Sequence, residues 1–281
     1  MDFLNGRPFH AGCMLRPGYL HRHRQTYAGL QRYDSHMSEH VDALDDPATT
    51  AARRDRLRGD SYLRRLYAHW YQLIVRELPP GSGEVLELGS GGGFLDEFIP
   101  GLRTSDVMQV PGVELVVDAR SLPFADSCLR AIVGTNVLHH IPNIERFFGE
   151  AQRTLIDGGR LIFIEPWPTP LSKPIYKHLH HEPFDQRGDW SIPDGGPLTA
   201  ANGALPWIIF HRDRVAFEHR FPALHVLNCK PFMPLSYLIS GGIARSWPLP
   251  PALFNVIKWS ERPLSALGLF SVIVLQRGTR T

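Results

Sequence analysis

The sequence predicts an α/β protein built on a doubly wound, mostly parallel sheet. Three observations lead to this prediction. Short, almost continuously apolar runs alternate with helical segments over residues 84–165, which is typical of a parallel sheet covered by helices on both faces. A glycine-rich turn follows the first of these runs. Two further apolar runs, near residues 226 and 269, are expected to add the last strands.

Composition restricts the function classes that are open to this chain. Its 281 residues are 43% hydrophobic and 21% charged, an ordinary balance for a folded globular protein. The formal net charge of +2 provides no broad positive surface, so no nucleic-acid partner is expected. The N-terminal residues lack the apolar core of a secretory signal. The longest apolar stretch, Leu264 to Leu275, is too short to span a bilayer.

Three cysteines, Cys13, Cys128 and Cys229, are scattered widely along the chain. From this spacing we expect neither a disulfide framework nor a CxxC metal knuckle. The sequence therefore predicts a reducing compartment and a soluble, cytoplasmic protein.

Residues 1–80 are predicted to form an irregular and helical lid region that precedes the sheet. From Ala51 to Leu78, apolar residues recur every three or four positions, as on one face of a helix. Pro79-Pro80-Gly81 is expected to end this helix. The helix also carries the densest basic cluster of the chain, which is either a solvated face or a contact to an anionic ligand. That cluster comprises Arg53, Arg54, Arg56 and Arg58.

Residues 81–281 are predicted to form the domain that contains the sheet. A helix is expected from Phe94, directly after the glycines, and an amphipathic helix over Ile144–Leu155. The expected strands are Glu84–Leu88, Val113–Val117, Ala131–Thr135, Leu161–Glu165, Val226–Asn228 and Leu269–Leu275.

Two proline-rich stretches interrupt this pattern, at about residues 167–206 and 230–264. We expect both to be inserted segments that cap a site at the carboxyl edge of the sheet. The second contains an apolar patch that packs in an extra subdomain, roofs a substrate pocket, contacts a second copy of the chain in a homodimer or rests on a membrane surface. The patch comprises Phe232, Met233, Leu235, Tyr237, Leu238 and Ile239.

The segment VLELGSGGGFL, Val85 to Leu95, contains the glycine-rich turn. Backbone N–H groups at such a turn come close to a ligand at the carboxyl edge of the sheet. A dinucleotide site needs a third small residue at the position that Phe94 occupies here. The loop therefore disfavours a nicotinamide dinucleotide.

This segment resembles the first motif, acidic-x-G-x-G-x-G, of class I S-adenosylmethionine-dependent methyltransferases, in particular type 11-like methyltransferases. Three later segments resemble further motifs of the family in the same order: DARSLPFADSCLRAIV, NVLHHI and FFGEAQRTLIDGGRLIFIEP. The resemblance covers about residues 83–166 and implies a seven-stranded, Rossmann-like methyltransferase fold with S-adenosyl-L-methionine as cofactor. It also implies a second strand at Leu102–Ser105. The six residues from Val107 to Gly112 are too few for the full helix that usually follows this strand.

The resemblance implies a set of cofactor-binding residues along the carboxyl edge of the sheet. The ribose would contact Asp106, the adenine Asp118 and Ala119, and the sulfonium would lie near Asn136. Asp118 and Asn136 are also common turn residues, and this alternative stays open. The methionine part would be held by the loop residues and the acid before them, Glu87, Gly89, Ser90, Gly91 and Gly93.

Candidate groups for the acceptor side are concentrated in the first insert. KHLHHEPFDQRGDW, Lys177 to Trp190, contains three histidines and several carboxylates. His181 beside Glu182 is a candidate catalytic base with its orienting partner, and His139, after the fourth strand, is a third catalytic candidate. The alternatives are hydrogen bonds from these side chains to a polar substrate, a loop held together by its own polar side chains, and a metal site. We assign no metal ligand from the sequence.

The sequence is therefore interpreted as a methyltransferase that transfers the methyl group by in-line displacement. The expected acceptor is an oxygen or nitrogen atom of a small molecule, a sugar or a lipid-linked intermediate. The alternatives are a catalytically silent methyltransferase fold that acts as a scaffold or cofactor sensor, and a non-methylating enzyme on the same fold.

Overall fold

The computed structural model describes residues 9–10, 13–16, 45–180, 182–192, 195–245 and 247–278. Its centre is one seven-stranded sheet. The strands in chain order are β1 Glu84–Leu88, β2 Arg103–Asp106, β3 Leu115–Val116, β4 Leu129–Thr135, β5 Leu155–Pro166, β6 Leu224–Phe232 and β7 Phe270–Arg277. Their order across the sheet is β3-β2-β1-β4-β5-β7-β6. Strands β1 to β5 pair in parallel, and β7 is antiparallel to both β5 and β6.

Helices cover both faces of this sheet, which confirms the predicted doubly wound α/β fold. In β5, Ile162 and Phe163 belong to two different core clusters because successive side chains of a strand point to opposite faces. Phe148 packs in one cluster and Trp70 in the other. The helices are α1 Pro47–Gly59, α2 Ser61–Glu77, α3 Ile144–Thr154, α4 Ser172–His178, α5 Leu205–Trp207, α6 Arg214–Arg220, α7 Ser236–Ser240, α8 Gly242–Arg245 and α9 Pro251–Glu261.

The predicted helix over residues 51–78 is two helices, α1 and α2. The break falls at Gly59 and Asp60, where the Asp60 carboxylate accepts hydrogen bonds from the N–H groups of Tyr62 and Leu63. Asp60 therefore caps α2 at its N-terminus. As expected, α2 ends just before Pro79.

The prediction of a helix from Phe94 is wrong. Only a short 3₁₀ turn, Leu95–Glu97, follows the glycine loop. Pro100 and Gly101 come soon after it, and proline cannot continue a helix because its ring removes the N–H donor. The predicted loss of the helix after β2 is confirmed, since residues 107–114 are all described and contain none.

The expectation that no cysteines pair is also wrong. Cys13 and Cys128 form a disulfide between positions 115 residues apart, with their Cα atoms 4.8 Å apart. Folding brings the N-terminal segment to the start of β4, where Leu15 and Phe124 form an isolated antiparallel bridge. Cys229 is the free cysteine. The cysteine pattern therefore no longer supports a reducing compartment.

The apolar patch of the second insert packs largely against α2. Met233 is buried, and the Tyr237 ring stacks on Trp70 with centroids 5.8 Å apart. Leu238 and Ile239 are 38% and 37% exposed. The patch therefore contributes mainly to the core under the lid region.

Candidate functional site

The glycine loop leaves β1 at Leu88 and turns sharply at the carboxyl edge of the sheet. Gly89 and Gly91 have positive φ angles of 62° and 42°, which glycine adopts without strain. A Cβ atom on Gly89 would lie 2.9 Å from Val137, and one on Gly93 would lie 2.7 Å from the Tyr71 hydroxyl oxygen. The loop therefore requires glycine for both its conformation and its packing.

Two acidic residues support the loop from the strands beside it. The Ser90 hydroxyl donates to the buried Glu87 carboxylate at 2.6 Å, and burial raises the pKa of Glu87 to about 7. Asp106, at the end of β2, accepts from the N–H groups of Gly91 at 3.1 Å and Met108 at 3.0 Å. Burial also raises the pKa of Asp106.

Arg54 of α1 packs on the opposite side of the loop. Its guanidinium donates to the carbonyl oxygens of Gly91 and Pro111. Pro111 belongs to the connection between β2 and β3, where the helix is missing. One arginine of the predicted basic cluster thus joins the lid region to the loop.

Asp118 and Asn136 have the geometry of turn residues, and both also lie at the candidate site. The Asp118 carboxylate accepts from the Arg120 backbone at 2.8 Å and pairs with the Arg120 guanidinium. Burial raises the pKa of Asp118, but this arginine outweighs that effect and lowers it. Asn136 has a φ of 54°, and its buried Oδ1 atom has no hydrogen-bond partner among the described residues.

A second cluster of polar side chains lies beyond the end of β4. The His139 ring is buried between two carboxylates, with Nδ1 2.6 Å from Glu165 and Nε2 3.2 Å from Glu182. Glu165 also accepts from the N–H groups of Val137 and Leu138, so it fixes the whole turn. The Nε2 atom of His140 lies 3.7 Å from the other oxygen of Glu182.

The charges of these side chains shift one another's pKa values. Burial lowers the pKa of His139, but Glu165 and Glu182 outweigh burial and raise it above its usual value. Burial raises the pKa of Glu182, but hydrogen bonding and charge from His139 lower it overall. Burial, assisted by the charge of His139, lowers the pKa of His140 to about 3.

One cavity of about 890 Å³ joins the glycine loop to this group. The predicted residues on its wall are Gly89, Ser90, Gly91, Gly93, Asp106, Asp118, Ala119, Asn136, His139 and Glu182. Glu87 lies buried directly behind Ser90 and is not on the wall. His181 lies outside the described residues.

Aromatic side chains from α2, from both inserts and from β7 also line the cavity. They are Tyr67 and Tyr71 of α2, Tyr176 of α4, Tyr237 of α7 and Phe270 of β7.

Among the described residues, no helix is long and apolar enough to cross a membrane.

Sequence reasoning missed three residues of this site. Glu165 is a buried carboxylate directly after the apolar run Leu161–Ile164 of β5, a position that points to a role at the sheet edge. His140 directly follows a candidate residue and lines the same cavity. The contact of Arg54 with the loop spans 37 positions, so no local pattern indicates it.

Comparisons with known proteins find methyltransferases. A family model described as a methyltransferase domain matches residues 86–163. The chain is 28% identical over 182 residues to a demethylmenaquinone methyltransferase of Thermobifida fusca, covering 55% of this chain and 72% of that protein. It is 27% identical over 156 residues to the ubiquinone/menaquinone biosynthesis C-methyltransferase UbiE of Desulfotalea psychrophila, covering 48% of this chain and 60% of the relative.

A solved structure shares the fold. It is a chain from the Haloferax volcanii complex that contains the Trm112 methyltransferase activator. The TM-score is 0.50 at 15% sequence identity, and the match covers 86% of this chain and 100% of that chain.

Proposed function

We propose that this chain, which is a class I S-adenosylmethionine-dependent methyltransferase, methylates a small, largely apolar acceptor that loses a proton in the reaction. The observation that carries this proposal is the cavity of about 890 Å³ that joins the glycine loop to His139 and Glu182. Its volume lies within the usual range for small-molecule sites. Apolar and aromatic wall residues beside the polar groups of His139 and Glu182 favour an apolar molecule with one polar group.

The cofactor is proposed to lie along the carboxyl edge of the sheet. The backbone from Gly89 to Gly93 would hold its methionine part, with the charge of Glu87 behind the loop near its ammonium group. Asp106 would accept from the ribose hydroxyls, and Asp118 with Ala119 would border the adenine. The Asn136 Oδ1 atom, which has no hydrogen-bond partner among the described residues, would face the cofactor near its sulfonium.

The reaction is an in-line displacement. The bond between the sulfonium sulfur and the methyl carbon breaks with its electron pair on sulfur, while a lone pair of the acceptor forms the new bond. The acceptor O–H or N–H would donate a hydrogen bond to the Glu182 carboxylate, which orients it for the displacement, and its proton would pass to solvent water. His139 and Glu165 would hold that carboxylate in position, because His139 contacts both. His181 stays a further candidate from the sequence.

A ring carbon is a second candidate for the methylated atom, because two relatives are named as methyltransferases of menaquinone or ubiquinone biosynthesis. Loss of the proton from a quinol hydroxyl places negative charge on the adjacent ring carbon. That carbon then attacks the methyl group and afterwards loses its own hydrogen as a proton.

The domain organisation follows as a proposal from the same cavity. Residues 1–80 would act as a lid region on a catalytic domain of residues 81–281, with inserts at about 167–206 and 230–264 as caps. Wall residues from each part support this division: Arg53 and Tyr67 from the lid region, Tyr176 from the first insert and Tyr237 from the second.

The direct test is formation of S-adenosylhomocysteine from S-adenosylmethionine with a panel of phenols, amines, sugars and short-chain quinols. We expect turnover with one of the apolar hydroxyl compounds. Glu182→Gln should lower kcat by about 100-fold, the order of the loss when a reacting group is misplaced, and leave cofactor affinity unchanged. Glu218→Gln is the matched control, since Glu218 is an exposed partner of Arg214.

Wild-type turnover by Glu182→Gln would remove Glu182 from the reaction. Cofactor binding without product from any acceptor would favour the silent scaffold or cofactor sensor instead.

Cofactor affinity is also expected to depend on pH through Glu87. Its pKa of about 7 results from burial, and a nearby ammonium group favours the ionised carboxylate. Binding below pH 7 must therefore release a proton, so the Kd should rise by up to about tenfold for each pH unit below 7 and level off above it. Calorimetry at pH 6 in two buffers of different ionisation enthalpy measures that proton.

Glu87→Gln is the control for this pH effect. It should bind the cofactor more weakly and release no proton at pH 6. An equal proton release in the variant would assign the effect to another group.

A further inference from the structure

Three potential metal ligands meet at the acceptor end of the cavity. They are the Nε2 atoms of His139 and His140 and the carboxylate of Glu182, and each of these residues lines the cavity. One ligand atom from each lies within 4.8 Å of the others. Within the described part of the chain, no other group of three His, Cys, Asp or Glu residues has this proximity.

The separations suit a bound ion. The Nε2 atom of His139 lies 3.2 Å from one oxygen of Glu182, and that of His140 lies 3.7 Å from the other. Zinc–nitrogen and zinc–oxygen bonds of about 2.1 Å at tetrahedral angles place ligand atoms about 3.4 Å apart. The two contacts with Glu182 are close to this separation, and the three ligand atoms as a set, which lie within 4.8 Å of one another, would move closer together around an ion.

Both histidines also have the hydrogen bonds that metal-binding imidazoles usually make. The Nδ1 atom of His139 is 2.6 Å from the Glu165 carboxylate, and that of His140 is 3.1 Å from the Ala200 carbonyl oxygen. Each acceptor holds a proton on Nδ1, so that Nε2 is the atom directed toward Glu182. The Nε2 atom of His139 is 3.2 Å from that carboxylate, so an ion that binds between them would displace the proton that they share. An ion pair between His139 and Glu182 does not by itself explain why the Nε2 atom of His140 also lies near Glu182.

We propose that His139, His140 and Glu182 bind one divalent transition-metal ion, for which Zn²⁺ is the probe, at the acceptor end of the cavity. Two imidazoles and one carboxylate are a ligand set that Zn²⁺ accepts at sites with an open coordination position. The open position faces the cavity, because all three residues lie on its wall.

The role of the ion rests on the proposed function, whereas its binding does not. An acceptor oxygen at the open position becomes a stronger acid, and its proton leaves to solvent water. Glu182 then orients the acceptor through the ion, as one of its ligands. The methyl group is transferred as before, from the sulfonium to the oxygen or to a ring carbon that shares its charge.

The test is titration of the chelator-treated full chain with Zn²⁺ by calorimetry and with Co²⁺ by visible absorption. We expect about one ion per chain with a micromolar or lower Kd. His140→Ala and Glu182→Gln should each weaken binding by about 100-fold or more, and Glu165→Gln by about 10- to 100-fold, as expected for an outer partner of a ligand. His178→Ala is the control, since His178 is exposed.

Absence of Zn²⁺ binding by the wild-type chain would overturn the inference. Unchanged binding by both His140→Ala and Glu182→Gln would also overturn it, since the ion would then lie elsewhere. Circular dichroism and cofactor affinity check that the variants fold. The titration needs no cofactor or acceptor, so its failure leaves methyl transfer standing, and a failed acceptor screen leaves the metal site standing.

Discussion

Gly89→Arg is expected to abolish binding of S-adenosylmethionine. Gly89 has a φ of 62°, and even a Cβ atom there would lie 2.9 Å from Val137. The arginine side chain would in addition fill the part of the cavity that the backbone must leave open to the cofactor. We expect the Kd measured by calorimetry to rise by at least about 100-fold, or about 2.7 kcal/mol.

Gly149→Arg provides the matched control. Gly149 lies on the exposed side of α3, where a Cβ atom would have no neighbouring atom within 4 Å. This variant should bind the cofactor like the wild type. Asp106→Asn is a milder second variant, because it changes the carboxylate that accepts from the Gly91 N–H group. Normal affinity in folded Gly89→Arg would refute the placement of the cofactor at this loop.

Trp70→Ala is expected to cause a large loss of stability. Trp70 of α2 is fully buried, and its ring lies 4.7 Å from that of Phe270 and 4.9 Å from that of Tyr67. Truncation of a buried tryptophan to alanine usually costs about 3–5 kcal/mol of unfolding free energy. Denaturant unfolding of the purified variant measures this loss.

Trp259→Ala removes the same side chain from an exposed position on α9, where Trp259 is 72% exposed. It should change the unfolding free energy by less than about 0.5 kcal/mol. Equal effects of the two substitutions would show that α2 does not anchor the lid region to the sheet as described.

The fold was predictable because its signals are local. The β1 strand has the predicted bounds, Glu84–Leu88, and the glycine loop follows it directly. The end of α2 before Pro79 and the start of α3 at Ile144 likewise follow from neighbouring residues. The helix expected after Phe94 is absent for a local reason too, since Pro100 follows closely in the sequence.

The candidate site was predictable where the motifs at the ends of the strands contain its residues. The loop from Gly89 to Gly93 and Asp106 come together at the sheet edge, as the resemblance implied. The disulfide between Cys13 and Cys128 and the contact of His139 with Glu182 join distant parts of the chain. Such contacts depend on how separate elements pack, and no spacing in the sequence encodes them.

The absent helix between β2 and β3 has a consequence for how this chain can be divided. Arg54 of α1 contacts Pro111 in that connection and Gly91 in the glycine loop. A residue far upstream in the sequence therefore helps to hold the loop in place. The proposed lid region and catalytic domain, divided at residue 80, are thus joined by Arg54 at the loop itself. Truncated fragments, domain swaps and chimaeras that keep the glycine loop should therefore also keep α1.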